Sequence, residues 1–155
     1  MTFLTHAVSA SILALMVSNV PSDQANIVVS TFFVAGFLDI DHIFYYIKDR
    51  HFFREQGFRG NLHKARSFLH EPFGMLILGV VALILMERFG IWAKVLYLAY
   101  LFHALEDFVF GISYPFSPFN KKEIALLDIG KRRKFWLEVF VFVSSVWLWV
   151  LYVSK

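Results

Sequence analysis

Histidines and carboxylates recur in this chain at spacings that let them share one ion. His103 and Asp107 are four residues apart and so lie on one face of a helix, with Glu106 three from the same histidine. Asp39 and His42 are three apart, and Asp41 joins them only where the helix unwinds or as a bridging ligand. His70 and His6 stand further off in sequence and would arrive from a loop and from the first helix. The chain has no Cys, which removes thiolate ligands and thiolate nucleophiles together. Imidazole and carboxylate donors suit a divalent metal, zinc first, with manganese or iron(II) also compatible. Taken singly, each of these side chains has a plainer reading as an interfacial or hydrogen-bonded group, and a purely structural hydrogen-bond network is the alternative for the set. His51 and His63 keep the plainer reading, and Glu138 is expected to pair with Lys134 one turn away. Paired histidines could also hold haem, but that leaves the carboxylates unexplained.

The elements that must position these groups are apolar helices. Hydrophobic residues make up 58% of the 155, with 19 Phe, a composition for which lipid is the simplest solvent. Five apolar stretches approach the roughly 20 residues that a helix needs to cross a bilayer. They cover residues 5–20, 25–47, 72–89, 91–110 and a last one after Lys131-Arg132-Arg133-Lys134. Pro21 and Gly90 punctuate the first and second hairpins, while Trp136, Trp147, Trp149 and Tyr152 flank the last helix as an interfacial belt would. The expected fold is all-α, a polytopic helical membrane protein with about five transmembrane helices in one bundle, residues 1–155 forming a single domain. The first stretch has no Lys or Arg before it and no convincing cleavage site after it, so it reads as a retained helix.

Charge sets the expected orientation. With five crossings, Lys48, Arg50, Arg54, Arg59, Lys64 and Arg66 share one side with Lys121, Lys122, Lys131, Arg132, Arg133 and Lys134, leaving Arg88, Lys94 and Lys155 on the other. The positive-inside rule makes the crowded side cytoplasmic, with the amino terminus inside and the carboxyl terminus outside. Every histidine and acid named above reaches that same side. At about 1.5 Å per residue, Asp39 and His103 lie roughly 10–12 Å from the cytoplasmic ends of their helices, where an unpartnered charge is costly. The basic loops read as topogenic charge, then as contacts to anionic headgroups; nucleic acid is an unlikely partner.

Thr5-His6, Leu38-Asp39-Ile40-Asp41-His42, a loop ending in His70, and His103-Ala104-Leu105-Glu106-Asp107 followed by Tyr114-Pro115-Phe116-Ser117 occur in the order seen in one family. Over about residues 5–119 the sequence resembles the YdjM-like membrane-bound proteins of bacteria and archaea, predicted to be metal-dependent hydrolases. The family's third element usually reads His-Arg-Gly, two residues, His-Ser; here Ala65 stands at its first His, with His63 two positions earlier, and Glu71 at its Ser. The resemblance implies a metallohydrolase of the cytoplasmic (inner) membrane, working at the interface on a phosphoester or lipid-linked, amphiphilic substrate. Its metal would be held among His6, Asp39, Asp41, His42, His70, His103 and Asp107. Glu71 or Glu106 would act as general base, and Arg66, beside His70, would balance an anionic substrate. A non-catalytic metal-stabilised scaffold or partner-binding protein ranks second. Ion transport ranks third, because its sites tend to lie near the midplane.

Overall fold

The structure is a computed structural model that describes residues 3–39, 47, 68–116, 119–120, 122, 124–127 and 129–154. Among the described residues it is all-α, with five α-helices: α1 (Phe3–Val17), α2 (Ala25–Phe37), α3 (Pro72–Phe89), α4 (Ile91–Phe110) and α5 (Lys131–Val153). A 3-10 turn at Phe68–His70 precedes α3. Two short antiparallel strands, β1 (Ile112–Ser113) and β2 (Ile124–Ala125), close the stretch between α4 and α5.

Helix α1 is the centre, packed by α2, α4 and α5. Its residues Thr5 to Ile12 are all buried, which a helix with a single apolar stripe would not show. Small side chains make this possible: Ala7, Ser9, Ala10, Ser11 and Ala14 let neighbouring backbones come close on several sides. The hydroxyls cost little because they turn back on their own helix, Ser9 Oγ donating to the Thr5 carbonyl at 2.6 Å and Ser11 Oγ to that of Ala7. The helix ends in a left-handed Asn19 (φ 54°), with Val20 N–H donating to the Leu15 carbonyl and Asn19 N–H to that of Met16, a Schellman cap. Tyr152 of α5 donates to the Val20 carbonyl at 2.9 Å, and Trp149 Nε1–H to that of Val8 at 3.0 Å, fastening α5 along α1.

Helix α2 buries Ile27, Thr31, Ala35 and Gly36, while Val29, Phe33 and Phe37, each four apart, are exposed on the opposite side. A Cβ at Gly36 would stand 2.9 Å from the tip of the Phe3 ring and 3.3 Å from Ala7 Cβ, so glycine sets how closely α1 and α2 approach. The expected hairpin of the third and fourth stretches is present, turned by Gly90 at φ 52°. Helix α4 buries Val95, Ala99, Tyr100, His103, Ala104 and Asp107, one continuous stripe. Its polar pair therefore lies on the packing face.

Helix α3 and residues 132–153 of α5 are long and apolar enough to cross a membrane; α1 and α2 are shorter apolar helices. Leu76, Val80, Leu83 and Ile84 of α3 and Phe140, Val143 and Trp147 of α5 are exposed, a surface that suits lipid and not water. The expected second helix ran to residue 47; α-helix is described to Phe37, followed by a turn at Leu38 and Asp39, and residues 40–46 lie outside the described set.

Gly36→Val should lower thermal stability in detergent by about 1–3 kcal/mol, the usual cost of overpacking, because Ala7 Cβ is fixed to its helix. Gly130→Ala, which would add a Cβ in open space, is the matched control and should leave the melting temperature unchanged.

Candidate metal centre

One hydrogen bond orients the centre. The turn that ends α2 sends the Asp39 N–H to the Gly36 carbonyl at 3.2 Å, away from the Ala35 carbonyl that would be its partner in a continuing helix. His103 Nδ1 takes that carbonyl at 2.6 Å. A carbonyl can only accept, so Nδ1 carries a proton, and in the neutral ring Nε2 is the nitrogen that offers a lone pair. His103 is fully buried and its Nε2 has no hydrogen-bond partner among the described residues; it faces Asp39 Oδ1 at 3.5 Å and Asp107 Oδ2 at 3.9 Å.

His70 completes the group. Its 3-10 turn is held by Tyr100, whose hydroxyl donates to the Leu69 carbonyl, and its ring lies 5.5 Å from that of His103. One donor atom from each of Asp39, His70, His103 and Asp107 lies within 4.8 Å of the other three. Donors around a tetrahedral zinc stand about 3.3–3.6 Å apart, so the widest pairs of the group must close by about 1 Å to hold one. Charge agrees with geometry: two neutral imidazoles and two carboxylates carry −2, which a divalent cation cancels. At an effective dielectric near 20, two carboxylates about 5 Å apart repel by roughly 3 kcal/mol, a cost that falls away with the cation between them.

The structure places His6 beside this group. Its Nε2 is 3.2 Å from Asp107 Oδ1 and its Nδ1 2.8 Å from Glu106 Oε2, so both ring nitrogens face carboxylates of consecutive residues. Its ring lies 4.4 Å from that of His103. In this arrangement His6 fixes one oxygen of Asp107 while the other turns toward His103. Glu106, expected as a candidate general base, is the partner of His6.

Glu71 is buried at the start of α3. Its Oε2 accepts from the Ser113 hydroxyl and from Tyr114 N–H at 2.9 Å, and its Oε1 has no hydrogen-bond partner among the described residues. Asp41, His42 and Arg66, together with His51 and His63, lie outside the described residues. Sequence reasoning missed Tyr100, Ser113 and the Ala35 carbonyl. Tyr100 was open to detection, since it stands one turn before His103 on the same face. Thr5 Oγ1 donates to Glu138 Oε1 at 3.4 Å, a partner for Glu138 that the expected Lys134 pair did not include.

A helical bundle with a lipid-suited exterior and a buried two-histidine, two-aspartate group defines a membrane protein with a candidate metal site. The family model described as YdjM inner membrane protein matches residues 1–154, and the chain belongs to that family. No curated protein and no solved structure matches it.

Protein purified with zinc or manganese should retain metal through dialysis, and elemental analysis should show His103→Ala losing it while Asp23→Asn, at the far end of the bundle, keeps it. Tyr100→Phe should weaken affinity about tenfold by loosening the turn behind His70. Lowering the pH from 7 to 5 should release the ion, because protons compete for the donor atoms. Equal metal content in His103→Ala and Asp23→Asn, with unchanged circular dichroism, would remove the assignment.

Proposed function

We propose that the protein is a metal-dependent hydrolase embedded in the cytoplasmic membrane, acting at the inner interface on phosphoester or lipid-linked substrates. The observation that carries this reading is the pairing of a buried Asp39, His70, His103 and Asp107 group with a further buried carboxylate, Glu71, next in sequence to His70. A structural site needs its ligands alone, whereas a catalytic one also needs a proton acceptor. Glu71 suits that role because its Oε2 is steadied by two donors while Oε1 has no hydrogen-bond partner among the described residues. A divalent ion in such a site supplies the Lewis acidity that activates water and polarises a phosphoryl or carbonyl oxygen. Arg66 would meet an anionic substrate, and Tyr114-Pro115-Phe116, tied to Glu71 through the Tyr114 N–H, would wall the site.

Topology supports an inner-face location. The start of α1, the end of α2, the turn before α3 and the end of α4 meet at the centre, and α5 starts at the same end, where Glu138 takes the Thr5 hydroxyl. Both basic stretches, residues 48–66 and 121–134, connect elements at that end. With five crossings this puts the site and the amino terminus in the cytoplasm.

A second reading, a metal-stabilised scaffold, is favoured by one feature: the four donors come from three separate segments, three of them fully buried and Asp39 half-buried, so an ion would tie those segments together. The two readings separate on one variant. Glu71→Gln keeps an oxygen for Ser113 and Tyr114 but cannot take up a proton, so it should retain metal and melting temperature while lowering hydrolysis 10²–10⁴-fold. Phosphomonoesters, phosphodiesters and lipid esters, offered in detergent with zinc or manganese, are the substrates to screen. Metal-replete protein that hydrolyses none of them would leave the scaffold.

The absence of native cysteines makes topology directly testable. Single cysteines at Arg59 and Gly130 should resist an impermeant maleimide added to intact cells, and one appended after Lys155 should react. Labelling of the two loops from outside would invert the orientation.

A further inference from the structure

The two oxygens of Asp107 face two different histidines. Oδ2 turns to His103 Nε2 at 3.9 Å, inside the four-residue group, while Oδ1 lies 3.2 Å from His6 Nε2, which the group does not include. The histidines come from different helices, His6 from α1 and His103 from α4, and their rings lie 4.4 Å apart. A carboxylate placed in this way can give one oxygen to each of two ions. The second pair of donors is also well spaced. Two donors on a tetrahedral zinc stand about 3.3–3.6 Å apart, so His6 Nε2 and Asp107 Oδ1 need almost no movement to share an ion.

His6 is supported as a metal ligand usually is. Its Nδ1 meets Glu106 Oε2 at 2.8 Å, and an ionised carboxylate can only accept, so Nδ1 carries a proton and in the neutral ring Nε2 is the donor toward Asp107. A metal-bound imidazole characteristically gives its other ring N–H to a carboxylate or a carbonyl, which fixes its orientation. Glu106 does for His6 what the Ala35 carbonyl does for His103. The ring is 1% exposed and sits on α1 between Thr5 and Ala7, both buried, so its position is set by packing. Charge points the same way. With one divalent ion between Asp39 and Asp107, the Glu106 carboxylate is left to be balanced on the His6 side. A cation between His6 Nε2 and Asp107 Oδ1 does this where a proton otherwise would.

We propose that the centre holds a second divalent ion, bound by His6 Nε2 and Asp107 Oδ1, with Asp107 shared between the two ions and Glu106 orienting His6. Two protein donors among the described residues leave positions for water and substrate, as a catalytic ion requires and a structural one does not. Where two metals stand about 3.5–4 Å apart, they clamp the attacking and leaving oxygens of an in-line displacement at phosphorus. This deepens the hydrolase reading by favouring phosphoesters over carboxylic esters. It rests on that reading for the substrate class alone, and on the first ion for the shared ligand.

The test uses full-length protein in a neutral detergent, stripped with a chelator and dialysed against Mn(II). Wild type should hold two ions per chain by elemental analysis and show the electron paramagnetic resonance signal of an exchange-coupled pair. His6→Ala should hold one ion and show the signal of an isolated one. His6→Asn, which removes the imidazole and keeps a polar group beside Glu106, should do the same. Glu106→Gln keeps an oxygen for Nδ1 without its charge, so it should weaken the second ion about tenfold and leave the first unchanged. One ion per chain in wild type would overturn the proposal, and this count needs no variant. Two ions in a folded His6→Asn would equally overturn it, because the second ion would then lie elsewhere. A coupled pair in protein that hydrolyses no phosphoester would leave the second ion standing and remove only the hydrolase reading. Hydrolysis by protein holding a single ion would do the reverse.

Discussion

The structure depends on a helix that stops two residues before its own aspartate. Where α2 ends, the Ala35 carbonyl is released from the helical ladder and Asp39 is carried on a turn, and His103 Nδ1 takes the released carbonyl at 2.6 Å. An orphan acceptor buried in an apolar bundle costs on the order of 1–3 kcal/mol unless it finds a donor. The same bond that satisfies it fixes the tautomer of His103, turns its lone pair inward and locks α4 to α2. A structural requirement of the backbone and a chemical requirement of a metal ligand are thus met by one contact.

Around that contact the packing is built from small residues, for a reason that follows from the solvent. Between helices in lipid, burial of large apolar side chains adds little, because the surrounding chains are as apolar as Leu. Close backbone approach and hydrogen bonding carry the association, which explains why the central helix is rich in Ala and Ser while Phe, Leu and Val are turned outward on α3 and α5. Close approach also shortens the distance between polar groups on neighbouring helices. Gly36 lies directly beside Ala35, so the residue that lets α1 meet α2 is adjacent to the carbonyl that receives His103.

Much of this was legible in the sequence where a local rule applies. The i,i+4 spacing of His103 and Asp107 places both on one face, and Gly90 marks the hairpin because a left-handed turn favours glycine. The convergence of Asp39 and His70 on that face was expected from the five-crossing reading, which brings these segments to one end of the bundle whatever their loops do. What could not be read was which of these side chains face one another. His6 has the residue type of a ligand, and only coordinates show both its nitrogens facing Glu106 and Asp107. The end of α2 was also hidden, because the apolar run continues past Phe37 and nothing in its composition announces a turn. Glu71 was noticed, but its hold on Ser113 and Tyr114 is a long-range contact across more than 40 residues, which no periodicity encodes.

The acids show why the shell around the centre matters as much as its four donors. Asp39, Asp107, Glu106 and Glu71 bring four carboxylates to one end of a small bundle, and no single divalent ion can balance them all. Each is therefore managed separately. Asp39 and Asp107 face His103, Glu106 is turned to the other side of His6, and Glu71 is held away by a hydroxyl and a backbone amide at the start of α3, where the helix dipole also favours negative charge. The acid of the candidate metal group thus lies on one side of His6 and an acid bound to a protein partner on the other. A bundle that only needed a metal tie would be served by the first pair alone. The two further acids, each kept apart by its own partner, are what a tie does not require, and they are the groups on which the hydrolase proposal rests.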